Sequence, residues 1–129
     1  MAGQFDKTDE QIEHDVRIIL SGHKGKENRI SRWQLVEMVF GRAAGANRSN
    51  NNPYDRRIRE VIAKYRDIDF IVSTSGSSGY WLANDYNDVL LIADEYDKRA
   101  KDMLSKASDL RKRGAEKFGP QMPLFGKTN

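Results

Sequence analysis

Apolar positions recur at helical spacing in three short stretches and one long one, with a brief alternating stretch between. Ile12, Val16, Ile19 and Leu20 lie on one helical face and stop at Gly22, and Thr8 with Gln11 supplies a capping box ahead of them. Residues 24–27 read as a polar loop and 28–30 as a short edge strand. Ser31 with Gln34 repeats the capping signature and opens a shorter helix whose apolar face is Leu35, Val36, Val39 and Phe40, closed by Gly41. Residues 41–52, rich in Gly and Asn and without period, read as a loop. Asn52 as N-cap and Pro53 at the first helical position open a third helix over 53–66, with Tyr54, Ile58, Val61, Ile62 and Tyr65 facing inward.

The pattern then changes. Phe70, Ile71, Val72 and Ser73, then Tyr80, Trp81, Leu82 and Ala83, flank six small residues at 74–79, which predicts a hairpin. Alternation along the second strand sends one of Tyr80 and Trp81 inward and the other outward, where it either stacks on a base or packs on the helix that follows. Trp33 is core or core edge. From Asn84, read as a cap, Val89, Ala93, Tyr96, Ala100, Met103, Ala107 and Leu110 alternate four and three apart, a heptad seam. A helix over 85–113 extends roughly 43 Å, more than a small core needs. Two outcomes stay open: self-association through residues 89–110, giving a homodimer, or packing of the first half on the Ile12 helix with the rest solvated. Beyond Gly114 two prolines and two glycines end the helix and leave an extended, mobile tail.

The fold class that follows is mainly α with a small β-hairpin (α+β). It divides into a domain over 1–83, a long helix over 84–114 and a tail over 115–129. With 129 residues, 38% hydrophobic and 32% charged, the chain suits one small core with polar extensions. There is no cysteine, hence no disulfide or Cys-ligated zinc. The start holds no apolar run fit for a signal peptide and no stretch approaches a membrane span, so a soluble cytoplasmic protein is expected. The net charge of +3 is modest but segregated. Residues 42–66 hold seven Lys or Arg against two acids, +5, whereas residues 1–20 and 84–110 are each −3. On a helical wheel Arg56, Glu60 and Ala63 fall opposite the apolar face of the third helix, Arg57 and Lys64 on one flank, Arg59 and Arg66 on the other. These arginines either meet DNA or form a solvated face with pairs such as Arg56 to Glu60.

The order helix, short strand, helix, helix, hairpin, with Arg56-Arg57-Ile58-Arg59 leading to Gly79-Tyr80-Trp81-Leu82, resembles the winged helix-turn-helix domains of small bacteriophage and bacterial proteins. The resemblance covers residues 12–83. It implies double-stranded DNA as a partner, a major-groove role for the 53–66 helix, and contacts from Arg42, Arg48, Arg56, Arg57, Arg59 and Lys64, with Ser75 and Ser77 of the wing tip bonding phosphate. The tip carries no cation, unlike the more basic wings of strong binders. In the tail, Gln121-Met122-Pro123-Leu124-Phe125 resembles the pentapeptide by which bacterial replication and repair proteins bind the sliding clamp. Leu124 and Phe125 would fill an apolar pocket, with Gln121 and Met122 beside them. The other outcome is that Phe118, Leu124 and Phe125 fold back on the domain.

No nucleophile and base can be assigned together, His14 and His23 lack ligand spacing, and the serine-glycine tip lacks the lysine and helix of a phosphate loop, so neither catalysis, metal nor cofactor is expected. The expectation is a DNA-binding protein of a phage or bacterial cell, acting in replication or transcription control and recruiting the clamp. The alternative is a non-enzymatic interaction protein that occupies or inhibits the clamp without specific DNA binding.

Overall fold

The computed structural model describes residues 7–73 and 79–119, so Ser75 and Ser77 and the Gln121, Met122, Leu124 and Phe125 motif lie outside the described residues. Four helices and one antiparallel hairpin follow in the order α1 (Asp9–Leu20), α2 (Arg32–Phe40), α3 (Pro53–Asp69), β1 (Ile71–Ser73), β2 (Tyr80–Leu82) and α4 (Tyr86–Phe118). The chain separates into two units, one ending at Ile92 and the other beginning at Ala93. No helix among the described residues is long and apolar enough to cross a membrane.

Each of the first three helices starts where a side chain satisfies its orphan N–H groups. Thr8 with Gln11 and Ser31 with Gln34 close reciprocal capping boxes, and the Asn52 side chain accepts from the Tyr54 and Asp55 amides. In the first unit Ile12, Val16 and Leu20 of α1 meet Leu35, Val36, Val39 and Phe40 of α2 and Ile58, Val61 and Ile62 of α3. Burying each such side chain is worth roughly 1.5–3 kcal/mol, so this three-helix contact dominates the stability.

The hairpin pairs Ile71 with Leu82, Val72 with Trp81 and Ser73 with Tyr80. Alternation gives it two buried faces. Ile71, Tyr80 and Leu82 join the helical core, whereas Val72 and Trp81 pack with Ile92 of α4 in a smaller cluster. Neither ring is therefore available to stack on a base, because Ile92 covers the face that alternation turns away from the three helices. Trp81 is fully buried, and its indole N–H has no acceptor among the described residues.

Several boundaries differ from expectation. Residues 28–30 form no strand: a 3-10 turn, Lys26–Asn28, takes the first of them and Ser31 caps α2 straight after, leaving Ile30 to make one antiparallel bridge with Tyr80 in which each amide donates to the other carbonyl at 2.9 Å. Lys24 bridges Leu82 in parallel on the same edge. The 41–52 loop contains a 3-10 turn, Arg42–Gly45. Helix α3 runs past Arg66 to Asp69, because Asp69 accepts two hydrogen bonds from Arg17 of α1 at 2.7 and 2.8 Å, fixing the extra turn. Phe70 ends it in the left-handed region at φ 56°.

Asn84 is not the cap of α4. Asp85 takes that role, accepting from the Asp88 amide at 3.1 Å, while Asp88 accepts from the Asn84 amide at 2.8 Å. Nor does Gly114 stop the helix, since an isolated glycine costs only about 1 kcal/mol relative to alanine. Termination falls to Gly119, at φ 77°, whose amide donates to the Ala115 carbonyl. Ile92 is the one buried residue of α4.

Candidate nucleic-acid interface

The N-terminal turn of α3 is built around two buried polar side chains. Asn52 caps the helix with its Oδ1 and donates through Nδ2 to the carbonyls of Ala44 and Asn47 at 2.8 and 2.7 Å, tying the glycine-rich segment to the helix. Three residues on, Asp55 is fully buried, although it belongs to no apolar pattern. Its carboxylate survives burial because two guanidiniums neutralise it. Arg32, the first residue of α2, donates to Oδ1 from Nε at 2.8 Å and to Oδ2 from Nη2 at 2.6 Å. Arg59 donates to Oδ2 from Nε at 2.9 Å.

One acid and two bases leave this cluster with a charge of +1. Asn50 holds both outer guanidinium ends, its side-chain oxygen accepting from Arg32 at 3.0 Å and its carbonyl from Arg59 at 3.2 Å. Arg32 also lies over the Trp33 ring at 4.7 Å. The hydrogen bond to Asp55 raises the Arg32 pKa further. Burial pushes the Tyr80 phenol up, with Asp55 acting in the same direction and the arginines against it, so the ring stays neutral.

Arg32, Asn50 and Arg59 line a cleft of about 360 Å³ whose other wall is Gly79 and Tyr80 of the hairpin. Gly79 is required there. Its φ is +116°, and a Cβ would come within 2.1 Å of the Ile30 carbonyl oxygen. The cleft is thus defined by the Ile30 to Tyr80 bridge on one side and the buried acid on the other. A planar guanidinium pair beside a polar wall suits an anion, above all a phosphate.

The six described residues expected to contact DNA fall into three groups. Arg59 lines the cleft. Arg56, on the exposed face of α3, and Arg42, in the 3-10 turn, have guanidiniums without a partner among the described residues, and Arg56 does not pair with Glu60. The remaining three are engaged by acids: Arg57 by Asp9, Lys64 by Glu13 at 2.8 Å and Arg48 by Glu37 at 3.5 Å. Arg57 and Lys64 lie on the flank of α3 that faces α1, away from the cleft. There Lys64 and Tyr65 both donate to Glu13, and those hydrogen bonds, Lys64 first, lower the Glu13 pKa.

Arg32, Asn50 and Asp55 belong to the site and were not singled out by sequence, whereas Tyr80 was, as a ring for stacking or packing. The i,i+4 spacing of Asp55 and Arg59 was a visible signal, but the one that draws Arg32 in from another helix was not. A larger groove of about 580 Å³, lined in part by Glu10, Glu13, Arg17, Tyr65 and Asp69, is occupied by its own ion pairs and offers no excess charge for a polyanion. No family model matches the chain, and neither a curated protein nor a solved structure matches it.

Proposed function

We propose that the protein is a winged-helix DNA-binding module that docks on a sliding clamp through residues 121–125. The observation that carries the reading is the Arg32 and Arg59 pair, held side by side on Asp55 at a cleft whose far wall is the hairpin. A duplex backbone running between α3 and the hairpin meets these guanidiniums with a phosphate, while Arg56 on the exposed face of α3 faces the groove. The connectivity agrees: Ile30 pairs with β2, so the residue ahead of α2 takes the place of the first strand of a winged helix, beside the hairpin.

Phosphate neutralisation makes binding fall with salt. Titration of labelled duplex at two salt concentrations therefore tests the reading. Binding at low salt should weaken steeply as salt rises, and the variants Arg56→Ala and Arg59→Gln should each reduce the salt slope by about one. Absence of binding at low salt sinks the DNA reading. For the tail, Leu124→Ala combined with Phe125→Ala should abolish clamp capture and leave duplex binding intact.

The alternative is an interaction protein that occupies the clamp without specific DNA binding. It draws support from the acids that already engage Arg48, Arg57, Arg59 and Lys64. The same titration separates the two, since this reading predicts clamp capture with no salt-sensitive duplex binding.

A further inference from the structure

The described residues of the second unit include no buried side chain, yet its sequence is ordered. Tyr96, Met103 and Leu110 recur every seven residues and are 42%, 69% and 63% exposed. Ala93, Ala100, Ala107 and Gly114 recur with the same period three or four residues away, so large and small residues alternate along one stripe. A Cβ placed on Gly114 would meet nothing within 4 Å. Leu104, 71% exposed, widens the stripe on the side that also carries Asp97 and Arg111.

Charge is polarised along the same helix. Asp94, Glu95 and Asp97 have no base among residues 93–97, whereas residues 98–118 hold eight Lys or Arg against three acids, +5. On the flank opposite Leu104, Arg99 and Arg113 are partnered within the helix by Glu95 at 3.8 Å and Asp109 at 2.9 Å.

We infer that this stripe pairs with the same stripe of a second copy, and that the two helices run antiparallel. In a parallel pair every layer sets like against like, stacking Tyr96, Met103 and Leu110 on their own copies and gathering the acids at one end. An antiparallel pair with its two-fold axis near residue 105 sets large against small throughout. Tyr96 lies over Gly114 of the partner subunit, Ala100 against Leu110 of the partner subunit, and Met103 against Ala107 of the partner subunit. Such interdigitation is what fills a helix interface without voids. In the same register Leu104 meets Leu104 of the partner subunit, and Asp97 meets Arg111 of the partner subunit on each side of the axis. A self-complementary patch of this kind closes after two copies. The glycine at 114 is then the space for a tyrosine ring.

The pairing does not depend on DNA binding and is tested on the full chain. Sedimentation equilibrium should give a dimer, weakened by Asp97→Lys and restored when Asp97→Arg is combined with Arg111→Asp. Because the chain has no cysteine, Ala100→Cys and Leu110→Cys introduce single thiols at exposed positions. When the two variants are mixed and oxidised, the antiparallel register joins residue 100 of one copy to residue 110 of the other. Homodimeric disulfides at each position would overturn the orientation. A monomer by sedimentation, with helicity retained, would overturn the pairing itself.

Discussion

The two flanks of α3 carry the same residue type in opposite roles. Toward α1, Arg57 reaches Asp9, which is 85% exposed, and Lys64, itself 59% exposed, reaches Glu13, which is 19% exposed. Toward the hairpin, Arg59 reaches Asp55, which is 0% exposed. A surface pair can dissolve into water at little cost, whereas a buried carboxylate requires its cations. The first flank fastens two helices together; the second holds guanidiniums in place for something else to use. What an arginine does here is decided by the burial of its acceptor.

Removing that buried acceptor should have the largest effect. Asp55→Ala is expected to cost about 3 kcal/mol, the low end for breaking a buried pair because Arg32 and Arg59 keep partial access to water. The urea midpoint measures it, and a near-zero change would break the distinction between the flanks. Next comes Gly79→Ala, which forces the hairpin away from Ile30 and should cost about 2 kcal/mol through overpacking and backbone strain. The cleft wall moves with it, so duplex affinity should fall more than stability alone explains. The double substitution Arg57→Ala with Lys64→Ala removes both ties on the other flank and should leave the urea midpoint nearly unchanged. A large loss there would show that the two flanks are equivalent.

The smallest effect is in pH dependence. Glu13 has a lowered pKa, because Lys64 and then Tyr65 donate to its carboxylate. Its contribution is complete above the ordinary glutamate value of about 4.3 and is lost as pH falls through the depressed one. Glu13→Gln should therefore flatten the acid limb of the stability curve below that pH and leave its slope at neutral pH unchanged. Equal acid sensitivity in both proteins would remove Glu13 from the tie.

What was legible in the sequence was local. The Thr8, Ser31 and Asn52 caps and the apolar faces of the first three helices depend on residues within a turn or two, and they form as read. What was not legible depends on distant partners. Helix α3 ends at Asp69 because Arg17 lies 52 positions away, and Asp55 is buried because Arg32 arrives from another helix. A wheel assigns charge outward by default, so it hid the most buried acid among the described residues. The two-faced burial of Tyr80 and Trp81 was legible only as one of two outcomes, for a similar reason. It needs Ile92 on the far side of the hairpin, and a strand pattern alone does not say what covers that side.

The Trp33 and Trp81 rings lie in chemically separate places. Trp33 is half-buried beneath the guanidinium of Arg32, which lines the cleft, and Trp81 is sealed against Val72 and Ile92. The protein therefore carries two intrinsic fluorophores with different readouts. An anion that draws Arg32 off its ring changes the emission of Trp33, while loosening of the hairpin shifts that of Trp81 to the red. With one ring replaced by phenylalanine at a time, occupancy of the cleft and integrity of the hairpin can be followed in the same titration without an added label.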